Sequence, residues 1–320
     1  MKKTGIVLLN MGGASNLDEV PLFLKNMFND PQILRIPFKP IRKLVASLIV
    51  WRRAGASMGN YRLIGGRSPL LSHTLSLAKK LEAGGGMPVF VAMRYTPPFA
   101  DEAVAAIKKS GATKLVLIPL YPQYSTTTTL SSLWDFEEAM VQGGLELPVK
   151  KIERFYDHPT YNAAVTERIG EALAGQAAEE YALLFSAHGL PQSVVDGGDP
   201  YQKECEAHVE LLKKRLTLEN RFFSRVDLAY QSKVGPMKWL TPSLEDKLQE
   251  LRSQGCKKVL IVPLAFTIDN LETDFELSIE YREKAQELGF ESYLVARCPN
   301  DSDRFAQALL ELSEATALKD

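Results

Sequence analysis

Two stretches of this chain are near copies of each other, Lys114-Leu-Val-Leu-Ile-Pro-Leu120 and Lys258-Val-Leu-Ile-Val-Pro-Leu264. Each is a short, uninterrupted β-rich apolar run, which predicts a strand buried on both faces, as in a parallel sheet under helices. Each follows a segment of helical period with a late glycine, Gly111 or Gly255, suited to a helix C-cap. Three more runs accompany each copy: residues 6–9, 89–92 and the weaker 149–152 in the first half, and residues 182–185, 226–229 and 292–295 in the second. Four strands plus four strands, alternating with helices, predict an α/β chain of two doubly wound domains, for which 320 residues is a fitting length. The expected domains are 1–150 and 151–320, with a last helix over 302–317 packing back on the first. From first to third strand the first half is longer (6 to 115) than the second (182 to 259), so about thirty residues are inserted there. The insertion is placed within 31–64.

Ligands of doubly wound sheets bind beyond the carboxyl ends of the strands. In the first half those ends carry Met11, Arg94-Tyr95 and Tyr121-Pro-Gln-Tyr124-Ser125; in the second, Ala187-His188-Gly189, Gln231-Ser232-Lys233 with Trp239 beyond, and Phe266 through Glu272. Such rims on two domains predict a wide apolar cleft between them with sparse polar groups, fit for a large flat ligand with acidic edges. His188, just past a buried strand, is placed there to take protons or hold a metal; the competing reading is a structural histidine. His73 and His208 fall on helix faces and are expected to be solvated. Asp269, Glu272, Glu276 and Glu280 would line one face if the chain turns helical after Asp269. Such a row raises the pKa of at least one member and suits a proton relay or a hydrated-cation path, whereas the competing reading is a solvated face capped by Asp269 or Thr273. Gly12-Gly13 lacks the rest of a dinucleotide fingerprint and reads as a tight turn. Gly65-Gly66-Arg67-Ser68-Pro69 reads as a turn into a helix capped by Ser68, with Pro69 first in the helix.

Composition narrows the partners. Lys plus Arg number 38 against 39 for Asp plus Glu, so no global field recruits nucleic acid. Cys205, Cys256 and Cys298 lack metal or disulfide spacing, which predicts a reducing, cytoplasmic setting. The N-terminus has no signal-peptide pattern, and no window approaches the ~20 apolar residues needed to cross a bilayer. Residues 34–53 nevertheless join an apolar stripe to Arg35, Lys39, Arg42, Lys43, Arg52 and Arg53, without an acid. Lying in the insertion, they predict a lid over the cleft or a helix resting on the inner face of a membrane through residues 38–51; an ordinary docked helix is the alternative.

Leu9-Asn10-Met11-Gly12-Gly13, residues 61–69, Tyr121-Pro122-Gln123-Tyr124-Ser125, residues 185–191, Gly198-Asp199-Pro200-Tyr201 and residues 231–236 together resemble signatures of the ferrochelatases of protoporphyrin type, in order and over nearly the whole chain. The resemblance implies two Rossmann-like, chelatase-like domains enclosing a porphyrin, and insertion of Fe²⁺ into protoporphyrin IX as the last step of haem biosynthesis. It implies catalytic and metal-contacting roles for His188 and Glu272, with a path through Asp269 and Glu276. It also implies porphyrin contacts at Arg94, Tyr95, Tyr124 and Ser125, and at Met11, where coproporphyrin-type members tend to have Tyr. The rim pattern adds Lys233, Trp239 and Phe266. Partners are then the porphyrin, Fe²⁺, a membrane surface and an enzyme that hands over porphyrin.

Two departures stand out. Asn270 occupies the place where many members have a His two residues before the cleft Glu, and no cysteine-rich tail is present for the [2Fe–2S] cluster of some members, so no cofactor is expected. The rival readings are a non-catalytic haem or porphyrin carrier, and a chelatase for coproporphyrin III or sirohydrochlorin.

Overall fold

The computed structural model describes residues 3–233 and 237–317. The predicted runs are all strands: β1 Thr4–Asn10, β2 Val89–Met93, β3 Lys114–Pro119 and β4 Val149–Lys151, then β5 Ala182–His188, β6 Arg225–Gln231, β7 Lys258–Pro263 and β8 Ser292–Val295. They form two parallel four-stranded sheets with the same order, β2-β1-β3-β4 and β6-β5-β7-β8. In each, the chain leaves the first strand to one side and returns on the other, so a crevice opens at the carboxyl ends of β1 and β3 and of β5 and β7.

Helices α1 (Val20–Asn29), α2 (Lys39–Leu63) and α3 (Leu70–Gly85) join β1 to β2; α4 (Ala100–Ser110) and α5 (Ser131–Gln142) make the next crossovers. α6 (Pro159–Leu173) leads into β5, α7 (Gln192–Asp196) and α8 (Tyr201–Leu218) into β6, and α9 (Leu244–Ser253) into β7. α10 (Tyr281–Glu287) precedes β8, and α11 (Asp303–Ala317) follows it. Gly111 ends α4 at φ 72° and Gly255 follows α9 at φ 87°, the left-handed conformation that glycine adopts without a Cβ penalty.

By its contacts the chain divides into two compact units. One comprises the residues up to Tyr121, Ser125–Glu153 and those from Leu309 on; the other comprises Pro122–Tyr124 and Arg154–Ala308. In the first, Val7, Leu9, Leu115 and Leu117 pack on Val104, Ile107, Leu133 and Phe136 of α4 and α5. In the second, Leu184, Val259 and Ile261 pack on Leu244, Leu248 and Leu251 of α9 and on Leu277, Tyr281 and Ala285. Each fully buried side chain of this kind contributes about 1.5–3 kcal/mol.

The repeat reaches further than the strands. After β3 the chain enters a π-helical turn, Thr126–Leu130, that runs into α5; after β7 it enters a longer one, Glu272–Glu280, that runs into α10. Such wide turns concentrate at functional sites. Gly12 (φ 88°) and Gly13 form a turn packed too closely for side chains: a Cβ on Gly13 would stand 2.7 Å from Ser68 Oγ. Ser68 is buried and its Oγ accepts from Leu70 N–H at 3.3 Å, but the helix starts at Leu70, so Pro69 precedes it instead of opening it.

The insertion carries α2, and its outer stripe is apolar: Phe38, Ile41, Leu44, Leu48 and Trp51 are all exposed, Trp51 to 79%. Ala46 and Tyr61 are its buried residues, and Arg53 lies over the Phe28 ring of α1. Among the described residues, no helix is long and apolar enough to cross a membrane.

Candidate active site

His188 is the last residue of β5, paired in register with Gln231 of β6. Its Nδ1–H donates to the carbonyl of Gly189 at 2.8 Å, which leaves the lone pair of the neutral ring on Nε2. The backbone beneath it is tied twice: the His188 carbonyl accepts from Tyr201 O–H at 2.9 Å, and Gly189 N–H donates to Gln231 O at 2.8 Å. A Cβ on Gly189 would stand 2.7 Å from that Gln231 oxygen, so only glycine permits the approach. Phe266, after β7, meets the imidazole edge-on at 6.2 Å between centroids, and Trp239 pairs with Pro191 and flanks Gly189.

Glu272 opens the π-helical turn after β7, on the other side of the same crevice. Burial raises its carboxyl pKa, positive charge on His188, present only when that ring is protonated, acts in the opposite sense, and the Glu276 charge raises it a little further. The expected acidic row is only partly realised. Glu276 follows on the turn, where residues four apart still share a side. Its Oε1 accepts from Ser232 N–H at 2.7 Å, and its Oε2 accepts from Ser232 O–H at 2.5 Å and from Gln231 Nε2 at 3.0 Å. Asp269 lies outside the row. It is buried before the helix begins, with Oδ1 accepting from Cys298 N–H and Oδ2 from Asn300 Nδ2, so its carboxylate anchors a loop. Asn270, also buried, does the capping: its Oδ1 accepts from Thr273 N–H at 3.0 Å, and its own N–H donates to Thr273 Oγ1 at 2.9 Å. This reciprocal pair starts the helical run that carries Glu272.

Several residues expected at the first rim are turned inward instead. Arg94 is not an isolated charge: Nη2 lies 3.1 Å from Asp30, Nη1 2.8 Å from Asp135, and Nε donates to Ser131 Oγ at 3.1 Å. Tyr95 is buried and its hydroxyl donates to Asp30 at 2.9 Å. One guanidinium serves two acids, so burial and the Asp30 charge push Asp135 up to about 6 despite Arg94. Ser125 is buried and caps the π turn, accepting from Thr127 N–H at 3.2 Å. Tyr121 is buried as well, its hydroxyl on Ser132. Met11 and Tyr124 are half-buried and Lys233 is exposed; Val234-Gly235-Pro236, the end of one signature, lie outside the described residues.

His208 corrects the expectation of a solvated side chain. It is buried and stacked on Tyr161, Nδ1 accepts from Gln123 Nε2, and Nε2–H donates to Asn162 Oδ1; burial lowers its pKa to about 3, so it stays neutral. Residues that the sequence reading passed over are Asp30, Ser232, Glu204 and Arg154. Each acts on a residue distant in sequence or lacks a local pattern; Ser232 falls inside a motif already named, but its bond to Glu276 had no signal there.

Two parallel sheets of this order, with an imidazole and a carboxylate at the strand ends of the second, define a protein of the chelatase fold. SirB from Bacillus subtilis, in a structure with Fe³⁺, superposes with a TM-score of 0.61 at 12% identity, covering 99% of this chain and 96% of that one. CbiX, described as the terminal enzyme of sirohaem biosynthesis in denitrifying bacteria, gives 0.53 at 13% identity over 98% of both. At such identities the likeness speaks for the fold alone. The family model described as Ferrochelatase matches residues 3–317. Proteins named ferrochelatase from Sulfurimonas denitrificans and Wolinella succinogenes are each 50% identical to the chain, over 98% and 97% of it and 98% of their own lengths. The chain belongs to the ferrochelatase family.

Proposed function

We propose that this chain is a metal chelatase that inserts Fe²⁺ into protoporphyrin IX, giving protohaem and two protons. The observation that carries this reading is His188 with its lone pair on Nε2 and Glu272 with its raised pKa, both at the strand ends of the second sheet in a chain of this family. Metallation strips two pyrrole protons and exchanges the iron's water for nitrogen, so the site needs a proton acceptor and a charged oxygen for the arriving cation. His188 Nε2 takes a pyrrole proton. Glu272 receives hydrated Fe²⁺ or the second proton, with Glu276 behind it on the same helical run and Asp269 left out because it lies buried before that run begins. Met11, Tyr124, Lys233, Trp239 and Phe266 contact the macrocycle, while Arg94, Tyr95 and Ser125 shape the first rim from within.

The test is an anaerobic assay of Fe²⁺ insertion into protoporphyrin IX, coproporphyrin III and sirohydrochlorin. Fastest turnover with protoporphyrin IX is expected. Binding without turnover would make the chain a carrier, and faster turnover of either other substrate would overturn the assignment.

Two finer points belong to the same proposal. The apolar stripe of α2 with its basic flank meets an anionic membrane surface at the inner face, where the porphyrin arrives. Leu44→Glu with Trp51→Glu should abolish flotation with anionic liposomes; unchanged flotation removes that role. The three cysteines are not expected to hold an iron–sulfur cluster. Cys205 and Cys298 are buried and Cys256 half-buried, and an iron–sulfur absorbance in anaerobically purified protein would contradict this.

A further inference from the structure

Residues 122–124 are held at every position. Phe155 and Tyr156 both donate their N–H groups to Pro122 O, and Gln123 Nε2 bridges His208 Nδ1 and Leu264 O. Tyr124 N–H donates to Glu204 Oε2 at 2.7 Å. The other oxygen of that carboxylate lies 2.9 Å from Arg154 Nη1, and the Arg154 guanidinium stands over the Tyr124 ring, 5.4 Å from its centroid. One carboxylate therefore fixes both the backbone of Tyr124 and the cation above its ring. The Glu204 side chain is only 6% exposed, against 46% for Arg154. Burial pushes the Glu204 carboxyl up, and the Tyr124 N–H and Arg154 pull it down. An apolar residue would fill the place without that desolvation cost, so the charge is there for what it holds.

We propose that Glu204 and Arg154 are positioning residues for porphyrin binding, setting the orientation of the Tyr124 ring against the macrocycle. This rests on the reading of Tyr124 as a porphyrin contact. Arg suits the task because its guanidinium can lie over the ring while one nitrogen stands beside the carboxylate; Lys offers a point charge without the plane.

The test is steady-state Fe²⁺ insertion by the full chain. Arg154→Ala should raise the porphyrin KM about fivefold, with kcat and the Fe²⁺ KM within twofold, and Arg154→Lys should recover little of the loss. Glu204→Gln keeps an acceptor for Tyr124 N–H but loses the ion pair, so its KM should rise less. The decisive arm is a double-mutant cycle: in a Tyr124→Leu background, Arg154→Ala should change the porphyrin KM no further. An unchanged KM in the single variant, or additive effects in the cycle, overturns the proposal. A wild-type chain that binds porphyrin without turnover would sink the functional reading instead; the same cycle read by porphyrin fluorescence then judges the clamp, with additivity again counting against it.

Discussion

The strand ends of the two sheets begin from one plan and differ in what becomes of their charged groups. Both have the same strand order, a left-handed glycine before the third strand and a π-helical turn after it. In the first unit, Arg94 has its three nitrogens on Asp30, Asp135 and Ser131, and Tyr95 and Ser125 are buried with partners of their own. In the second, His188 keeps its Nε2 lone pair and Glu272 stays half-buried beside a second carboxylate. A repeat thus yields one rim whose charged groups are paired among themselves and one that brings an imidazole and two carboxylates to the same strand ends, where the proposed function puts the chemistry. The backbone supplies the crevice twice, and the side chains at its edge make the two copies different.

The contrast can be broken from either side. The largest effect is expected at the second rim, where His188→Ala and Glu272→Gln should each lower kcat/KM for anaerobic Fe²⁺ insertion by about 10²–10⁴-fold. Near-normal turnover in either variant removes that residue from the chemistry. At the first rim, Arg94→Met leaves the buried Asp30 and the half-buried Asp135 without their cation. Urea unfolding should then show a loss of about 3–5 kcal/mol, with the porphyrin KM of the folded protein within twofold. A raised KM at unchanged stability would make Arg94 a ligand receptor and dissolve the distinction.

The sheets were legible because a strand buried on both faces must be a continuous apolar run, as residues 115–118 and 259–262 are. The insertion was legible because the two halves of a repeat should match in length and do not. The partners of Arg94 were not legible, because Asp30 and Asp135 lie far from it in sequence and no periodicity joins them. The acidic row failed at Asp269 for a related reason: a spacing rule assumes where the helix begins, and Asn270 begins it one residue later. Asn270 stood out only as a departure from the family, yet Asn-x-x-Thr ahead of a helical run is a capping pattern that could have been read directly. Glu204 gave no signal, since an acid near the start of a helix is ordinary.

The smallest and most discriminating effect concerns the neighbours Glu272 and Glu276. The pKa of Glu272 is raised chiefly by burial, with the Glu276 charge a smaller push in the same direction. If Glu272 works as a carboxylate, kcat/KM falls as pH drops through that raised pKa, so the acid limb lies above the ordinary glutamate range. Glu276→Gln removes the like charge and keeps one oxygen to accept from Ser232 N–H, while its amide NH2 takes the place of the oxygen that accepted from Ser232 O–H. The Glu272 pKa should therefore fall, moving the acid limb to lower pH with little change in the plateau. An acid limb that stays in place would mean that burial alone sets Glu272. A lost plateau would mean that Glu276 itself handles iron or protons, and the working part of the second rim would then extend a turn further along the π helix.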